Sequence, residues 1–242
     1  MIYIMLPAYN EARDMDELIR RIHDAMRGNG LEYRAVVVDD GSNDGTCDVV
    51  ISLQKQFPVQ LLKHEVNKGL GQALKTGFTR IASIADADDI VVVMDADNTH
   101  PPELIVKMNE LVNNGADIVI ASRYQKGAEV IGVPLYRRVL SNGASYMFRT
   151  MAPVKGVRDF TGGYRAYRVS LIKKALEKYG DKFITESGFS CMIDVLFKLS
   201  CFKPMIAEVP LTLNYDKKKG PSKMKIAKAI KGTLRLLVKS RS

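Results

Sequence analysis

Cysteine is scarce in this sequence: Cys47, Cys191 and Cys201 are the only three in 242 residues, odd in number and far apart. That spacing excludes a disulfide framework and a paired-cysteine metal site, and leaves three reduced thiols as packing residues. Long apolar runs are missing too. The stretch 90–94 falls far short of the roughly 18 uninterrupted apolar residues needed to cross a bilayer, so no segment reads as a membrane span. Asn10, Glu11, Arg13 and Asp14 interrupt the hydrophobic opening at once, unlike a signal peptide, and imply a cytosolic location. Nothing divides the chain: it has no low-complexity segment, no internal repeat and no Gly/Ser/Pro-rich linker. At 46% hydrophobic composition it can bury one sizeable core.

Negative charge is nearly absent from one region. Residues 200–242 hold eleven Lys/Arg against two Asp/Glu, which accounts for the whole formal net charge of +9 and leaves the rest of the chain balanced. A basic tail on a balanced domain is less like a nucleic-acid groove than a local contact with phosphates, of a substrate or of lipid headgroups. Nucleic acid is therefore not an expected partner. From 222 onward Met224, Ile226, Ala227, Ile230, Leu234, Leu237 and Val238 gather on one helical face, with Lys225, Lys228, Lys231, Arg235 and Lys239 on much of the rest. That pattern suits a helix lying on a membrane surface, and equally one packing on its own domain.

What is present in the first half is alternation. Short Val/Ile/Leu-rich runs at 2–6, 35–38, 59–62, 90–94 and 118–121 read as strands covered on both faces. Between them lie helical patterns: Leu18, Ile19, Ile22 and Met26; Val49, Val50 and Leu53; Leu74, Phe78 and Ile81; Leu104, Met108 and Leu111. This order implies an α/β fold with a mostly parallel sheet flanked by helices, and ligands outside the carboxyl ends of the strands. We expect one domain over 1–221, in two halves at 1–123 and 124–221, followed by the basic helix at 222–242.

The predicted strand ends carry the polar residues. Asp95 and Asp97 follow the fourth strand with one residue between them; on an extended backbone both would face one way and repel unless a cation sat between them. Hard oxygen ligands suit Mg²⁺ or Mn²⁺. A solvated turn is the plainer alternative. Asp39 and Asp40 end the second strand, where an acid reaches a ribose or base in dinucleotide-binding folds, yet the first turn lacks the Gly-X-Gly-X-X-Gly of such folds. Ser42, Asn43 and Asp44 also suit a turn and helix cap, with the cap claiming Asn43 or Asp44 and a ligand claiming Asp39. Asn67-Lys68-Gly69-Leu70-Gly71 reads by itself as a tight loop feeding a helix. Arg123, past the fifth strand, suits a diphosphate through its bidentate guanidinium, or an ordinary surface position. His23, His64 and His100 have no mutual spacing of a metal site: His23 is expected on a solvated helix face, His64 at a strand end and His100 as a turn-former.

Pro7-Ala8-Tyr9-Asn10-Glu11, Asp39-Asp40-Gly41-Ser42, Asn67-Lys68-Gly69, Asp95-Ala96-Asp97 with His100-Pro101-Pro102, and Ser122-Arg123-Tyr124 together resemble, in order and spacing, the family-2 glycosyltransferases. With Thr161-Gly162-Gly163-Tyr164-Arg165-Ala166-Tyr167 and Gly220-Pro221-Ser222-Lys223, the likeness is to the dolichyl-phosphate mannosyltransferase branch over about residues 1–223. The resemblance implies a Rossmann-like GT-A fold and an inverting transfer of a hexose, mannose from GDP-mannose, onto a polyprenyl phosphate at the cytoplasmic face of a membrane. It implies that Pro7, Ala8, Tyr9, Glu11 and Asp39 hold the nucleoside, and that Lys68, Gly69 and Arg165 join the substrate-binding set. Asp95 and Asp97 would hold Mg²⁺ or Mn²⁺, with Thr99 where a Gln often completes the site. Arg123 would meet phosphates, and Lys217, Lys219 and Lys223 would close over them, so Asp97, Arg123 and Lys223 form the catalytic set.

An ionised lipid phosphate needs no strong general base, whereas a saccharide hydroxyl does, and Asp194 is the candidate for that role. The competing expectations are a UDP-sugar transferase of glucose or N-acetylhexosamine acting on a saccharide hydroxyl, and a nucleotide-binding regulatory protein without turnover.

Overall fold

The structure, a computed structural model, describes residues 1–132, 143, 154–188 and 190–214. The five apolar runs form β1 (Ile2–Ala8), β2 (Tyr33–Asp40), β3 (Val59–His64), β4 (Ile90–Val93) and β5 (Ile118–Ser122). The amphipathic stretches between them form α1 (Ala12–Arg27), α2 (Thr46–Leu53), α3 (Leu70–Ile84) and α4 (Leu104–Asn113). In α1 the expected Leu18, Ile19, Ile22 and Met26 are all buried. The buried face of α4 is Ile105, Met108 and Val112, one residue round from the expected stripe, leaving Leu104 and Leu111 partly covered.

β6 (Glu129–Ile131), β7 (Arg165–Arg168), α5 (Val169–Tyr179), α6 (Cys191–Ser200), β8 (Ile206–Pro210) and β9 (Thr212–Asn214) follow. The main sheet has seven strands in the order β3-β2-β1-β4-β7-β5-β8, and β6 pairs with β9 apart from it. Every pairing in the main sheet is parallel except those of β7, which is antiparallel to both β4 and β5. The sequence reading missed β7 because Arg165-Ala166-Tyr167-Arg168 has no apolar run. It is nevertheless buried, with the Arg165 guanidinium donating to the carbonyls of Met192 at 2.8 Å and Phe160 at 2.7 Å. Both terminal nitrogens of this buried guanidinium thus find acceptors, which offsets much of the cost of burying it.

The period-2 alternation of strands sorts side chains into two cores. Ile4, Leu6, Val37, Val92 and Val119 face α1, α2 and α4, whereas Met5, Val36, Val38, Val91 and Val93 face α3, α5 and α6. The same alternation carries past the apolar residues. Asp39 continues the first set and Asp40 the second, so two adjacent carboxylates emerge on opposite faces of the sheet. The connection from β1 leads to β2 on one side, while β4 lies on the other. That reversal marks the carboxyl end of β1 as the place where such sheets receive ligands. Among the described residues no helix is long and apolar enough to cross a membrane.

Candidate active site at the carboxyl ends of β1, β2 and β4

Two turns are laced together where β1 and β2 end. The Asn10 amide donates to Ser42 Oγ at 2.8 Å, the Asn43 amide to Asn10 Oδ1 at 2.9 Å, the Glu11 amide to Thr46 Oγ1 at 2.9 Å and the Ala12 amide to Asp44 Oδ2 at 3.1 Å. Asp44 also accepts from the Thr46 amide, so one carboxylate meets open donors at the start of both α1 and α2. Of the two candidates for the cap, Asn43 and Asp44, it is Asp44 that takes the open donors. Gly41 makes the turn tight, with φ of +73° and a position where a Cβ would sit 2.4 Å from the Val66 carbonyl carbon.

Asp39 is wholly buried. Its Oδ2 accepts from the Ser42 amide at 3.3 Å and the Cys47 thiol at 3.0 Å, while Oδ1 is buried without a hydrogen-bond partner among the described residues. Burial and the bond to Asp39 push the Cys47 thiol up to about 11. Asp40, on the other face, is fully used. Its Oδ1 meets His64 Nδ1 at 2.7 Å and the Lys68 amide at 2.9 Å, and its Oδ2 takes the Gly69 amide at 2.7 Å. His64 Nε2 in turn lies 2.9 Å from Thr76 Oγ1. The Lys68 and Gly69 amides are therefore spent on Asp40, which leaves neither N–H for a substrate; the Lys68 side chain is exposed. Tyr9 and Glu11 are half-buried on the β1 turn, and Pro7 and Ala8 pair with β2 opposite Val38 and Asp39.

Past β4, Asp95 and Asp97 meet different surroundings. The Asp95 side chain is 41% exposed, while Asp97 is nearly buried and its Oδ1 accepts from Thr99 Oγ1 at 2.7 Å and the Thr99 amide at 3.3 Å. Thr99 thus spends its hydroxyl proton on orienting Asp97. Asn98, buried at φ of +60°, reverses the chain between them and accepts from Arg21 of α1. His100 does more than form a turn. Its Nδ1 accepts from the Asp95 amide at 3.2 Å, which puts the neutral-ring proton on Nε2, 4.0 Å from Asp95 Oδ2. The ring stacks on Tyr164 at 4.8 Å, and Tyr164 Oη donates to the Pro101 carbonyl at 2.9 Å. Among the described residues no three His, Cys, Asp or Glu side chains cluster as a closed metal cage. Two carboxylates on one short turn are the donor set of an open site, which suits a hard divalent cation that keeps positions for phosphate oxygens. The residues present fit such a cation.

Arg123 has a partner that the sequence reading missed. Its Nε and one Nη hold the two oxygens of Asp159 at 2.8 and 2.7 Å, and that Nη also reaches Thr161 Oγ1 at 2.7 Å. Asp159 is fully buried and also accepts from the amides of Arg123, Thr161 and Gly162. Although burial opposes its ionisation, the Arg123 guanidinium and amide and the nearby Arg165 charge hold its carboxyl down at about 2. The charge expected for substrate phosphates is therefore balanced inside the protein. The clamp fixes the 159–163 loop, whose Gly163 would place a Cβ 3.5 Å from Asp95 Oδ1. Arg165 supports the same loop from beneath, with its guanidinium wholly buried. Burial takes Arg165 out of the substrate-binding set. Asp194 accepts from the Thr185 amide at 2.8 Å and from Thr185 Oγ1 at 3.0 Å, and pairs with Lys198 at 2.7 Å. Lys217, Lys219, Lys223 and the helix expected over 222–242 lie outside the described residues.

This sheet, with its acidic crevice at β1, β2 and β4, is the GT-A fold. Solved structures of glucosyl-3-phosphoglycerate synthase from Mycobacterium tuberculosis share it: the complex with Mn²⁺, UDP and phosphoglyceric acid superposes with a TM-score of 0.68 at 20% identity, covering 99% of this chain and 78% of the other. A complex of that enzyme with Mg²⁺ and UDP also superposes with a TM-score of 0.68, at 19% identity over 99% of this chain and 79% of the other. Residues 3–176 match the family described as glycosyl transferase family 2, and the chain belongs to that family.

Three curated relatives are similar over most of the chain. They are a dolichol-phosphate mannosyltransferase of Pyrococcus furiosus (36% identical, 93% of this chain), a polyprenol monophosphomannose synthase of Mycolicibacterium smegmatis (34%, 91%) and an undecaprenyl-phosphate mannosyltransferase of Micrococcus luteus (32%, 92%). The chain spans 59% of the Pyrococcus relative's length, and 80% and 87% of the other two.

Proposed function

We propose that the chain transfers a hexose, mannose from GDP-mannose, onto a polyprenyl phosphate with inversion at the anomeric carbon. The observation that carries this is the likeness, at 32–36% identity, to three relatives that are each named for making a mannosyl polyprenyl phosphate.

In this proposal Pro7, Ala8, Tyr9, Glu11 and Asp39 take the nucleoside. The unpartnered Asp39 Oδ1 supports its part: a buried anionic oxygen without a donor is costly, and an N–H or O–H of the nucleoside would relieve that cost. Because Asp39 is fully covered, the segment over it must give way as the donor enters. Asp95 and Asp97 would hold Mg²⁺ or Mn²⁺, with Thr99 and His100 orienting them. A divalent cation bound there supplies charge neutralisation for the diphosphate as the glycosidic bond breaks. Arg123 acts through the 159–163 loop, keeping it against Asp95, and Lys217, Lys219 and Lys223 supply the cations for phosphate. Lys68, exposed beside the Asp40 anchor, adds a further positive charge.

The state of Asp194 favours a phosphate acceptor over a saccharide hydroxyl. A general base needs an oxygen directed at the incoming proton, and this carboxylate is spent on Thr185 and Lys198. A lipid phosphate is already anionic and asks for no such base. The acceptor's membrane would be met by the basic 222–242 helix, as a peripheral contact on the cytoplasmic face.

The test is a donor and acceptor panel with the full chain. GDP-mannose with a polyprenyl phosphate and Mn²⁺ should release GDP and yield mannosyl lipid phosphate, and chelation should stop it. Turnover of a UDP-sugar onto a saccharide with no lipid product would replace this proposal with the saccharide transferase. Nucleotide binding without acceptor-dependent release would leave a binding protein.

A further inference from the structure

The two oxygens of Asp39 are treated differently. Oδ2 is held by the Ser42 amide at 3.3 Å and the Cys47 thiol at 3.0 Å, whereas Oδ1 is buried without a partner among the described residues. Cys47 is not placed there by core packing. It sits in the first turn of α2, directly after Thr46, which is tied to Asp44 and to the Glu11 amide of the β1 turn. The thiol is thus carried by the same lacing that joins the two nucleoside-side turns.

We propose that Cys47 is a positioning residue for the donor: its S–H fixes the Asp39 carboxylate so that Oδ1 stays directed at the nucleoside. This rests on the assignment of Asp39 to the nucleoside in the proposed function. A carboxylate on a short side chain turns about a broad terminal torsion, and the Ser42 amide alone, at 3.3 Å, is a long and weak tether. A second donor on the same oxygen removes that freedom. The thiol is suited to the task, since burial and Asp39 itself keep it protonated well above neutral pH, so it donates rather than repels. The plain alternative is that Cys47 only fills space beside α2.

Steady-state kinetics of the full chain separate the two, using whichever of GDP-mannose and UDP-glucose it turns over. Cys47→Ala should raise the donor KM about tenfold, the scale of losing one hydrogen bond to a charged group, with kcat within about twofold. Cys47→Ser keeps a donor at the same place and should recover most of that loss, which a space-filling role would not give. In an Asp39→Asn background, Cys47→Ala should add little, because the two act as one unit. A wild-type KM in Cys47→Ala beside a raised KM in Asp39→Asn would overturn the role of Cys47 alone. Equal losses in Cys47→Ala and Cys47→Ser would overturn it too, pointing to shape instead of the hydrogen bond. A wild-type KM in Asp39→Asn would show that the nucleoside assignment itself is wrong, and the positioning role would fall with it.

Discussion

Two acidic pairs end β2 and β4, the strands on either side of β1, and the chain treats them differently. Asp39 and Asp40 at the end of β2 are buried, at 0% and 4% exposure, and together take hydrogen bonds from Ser42, Cys47, His64, Lys68 and Gly69. At the end of β4 the Asp95 carboxylate is 41% exposed beside a nearly buried Asp97. A buried carboxylate supplied with donors shapes the protein around it, whereas an exposed one is available to a ligand. The β2 pair ties together the turns around it, and in the proposed function the β4 pair meets the ligand. Asp39, with one oxygen tied and one not, stands between the two roles.

The largest effect should come from breaking the β4 side. Asp95→Ala should lower turnover by more than about a hundredfold, the scale of losing a group that holds transition-state charge, while leaving the melting temperature near that of wild type. Asp97→Ala should match it in activity and also lose the Thr99 contacts. Activity of either variant near wild type in chelated, metal-restored buffer would remove the metal role from this turn.

Stability should separate the buried charges from the open ones. Arg123→Ala leaves Asp159 ionised and uncompensated in the interior, so denaturant unfolding should show a loss of about 3–5 kcal/mol. An Arg used only on substrate phosphate would cost activity and leave unfolding unchanged. A smaller effect follows from acid. With its folded carboxyl lowered from 3.8 to about 2, Asp159 adds stability that is fully present above pH 4 and is lost as pH falls toward 2. The contribution is about 2 kcal/mol, and Asp159→Asn should flatten that part of the pH-stability curve. An unchanged curve in this variant would mean that other carboxylates carry the acid response.

The strands and helices of the first half were legible because their apolar residues repeat at periods of 2 and 3.6, and the strand-end acids because burial of those runs leaves polar residues only at their ends. β7 was hidden: its burial depends on carbonyls of residues 160 and 192 that satisfy Arg165, which no local pattern announces. Arg123 was legible as a cation and misjudged in its partner, since Asp159 lies 36 residues away and comes beside it only through β7 and β5. Asp40 was legible as a strand-end acid and Cys47 as a packing thiol, but the partners of both were hidden for the same reason. A turn residue's neighbours in sequence say little about the loop or helix that the sheet will bring to it.

The proposed donor site is tested most directly by calorimetric titration of GDP into the wild-type chain and Asp95→Ala, each with Mn²⁺ and after chelation. If Asp95 and Asp97 hold the cation that grips the diphosphate, chelation should weaken GDP binding by about tenfold or more in the wild type and leave Asp95→Ala, already weak, almost unchanged. The same loss on chelation in both proteins, or none in either, would contradict it.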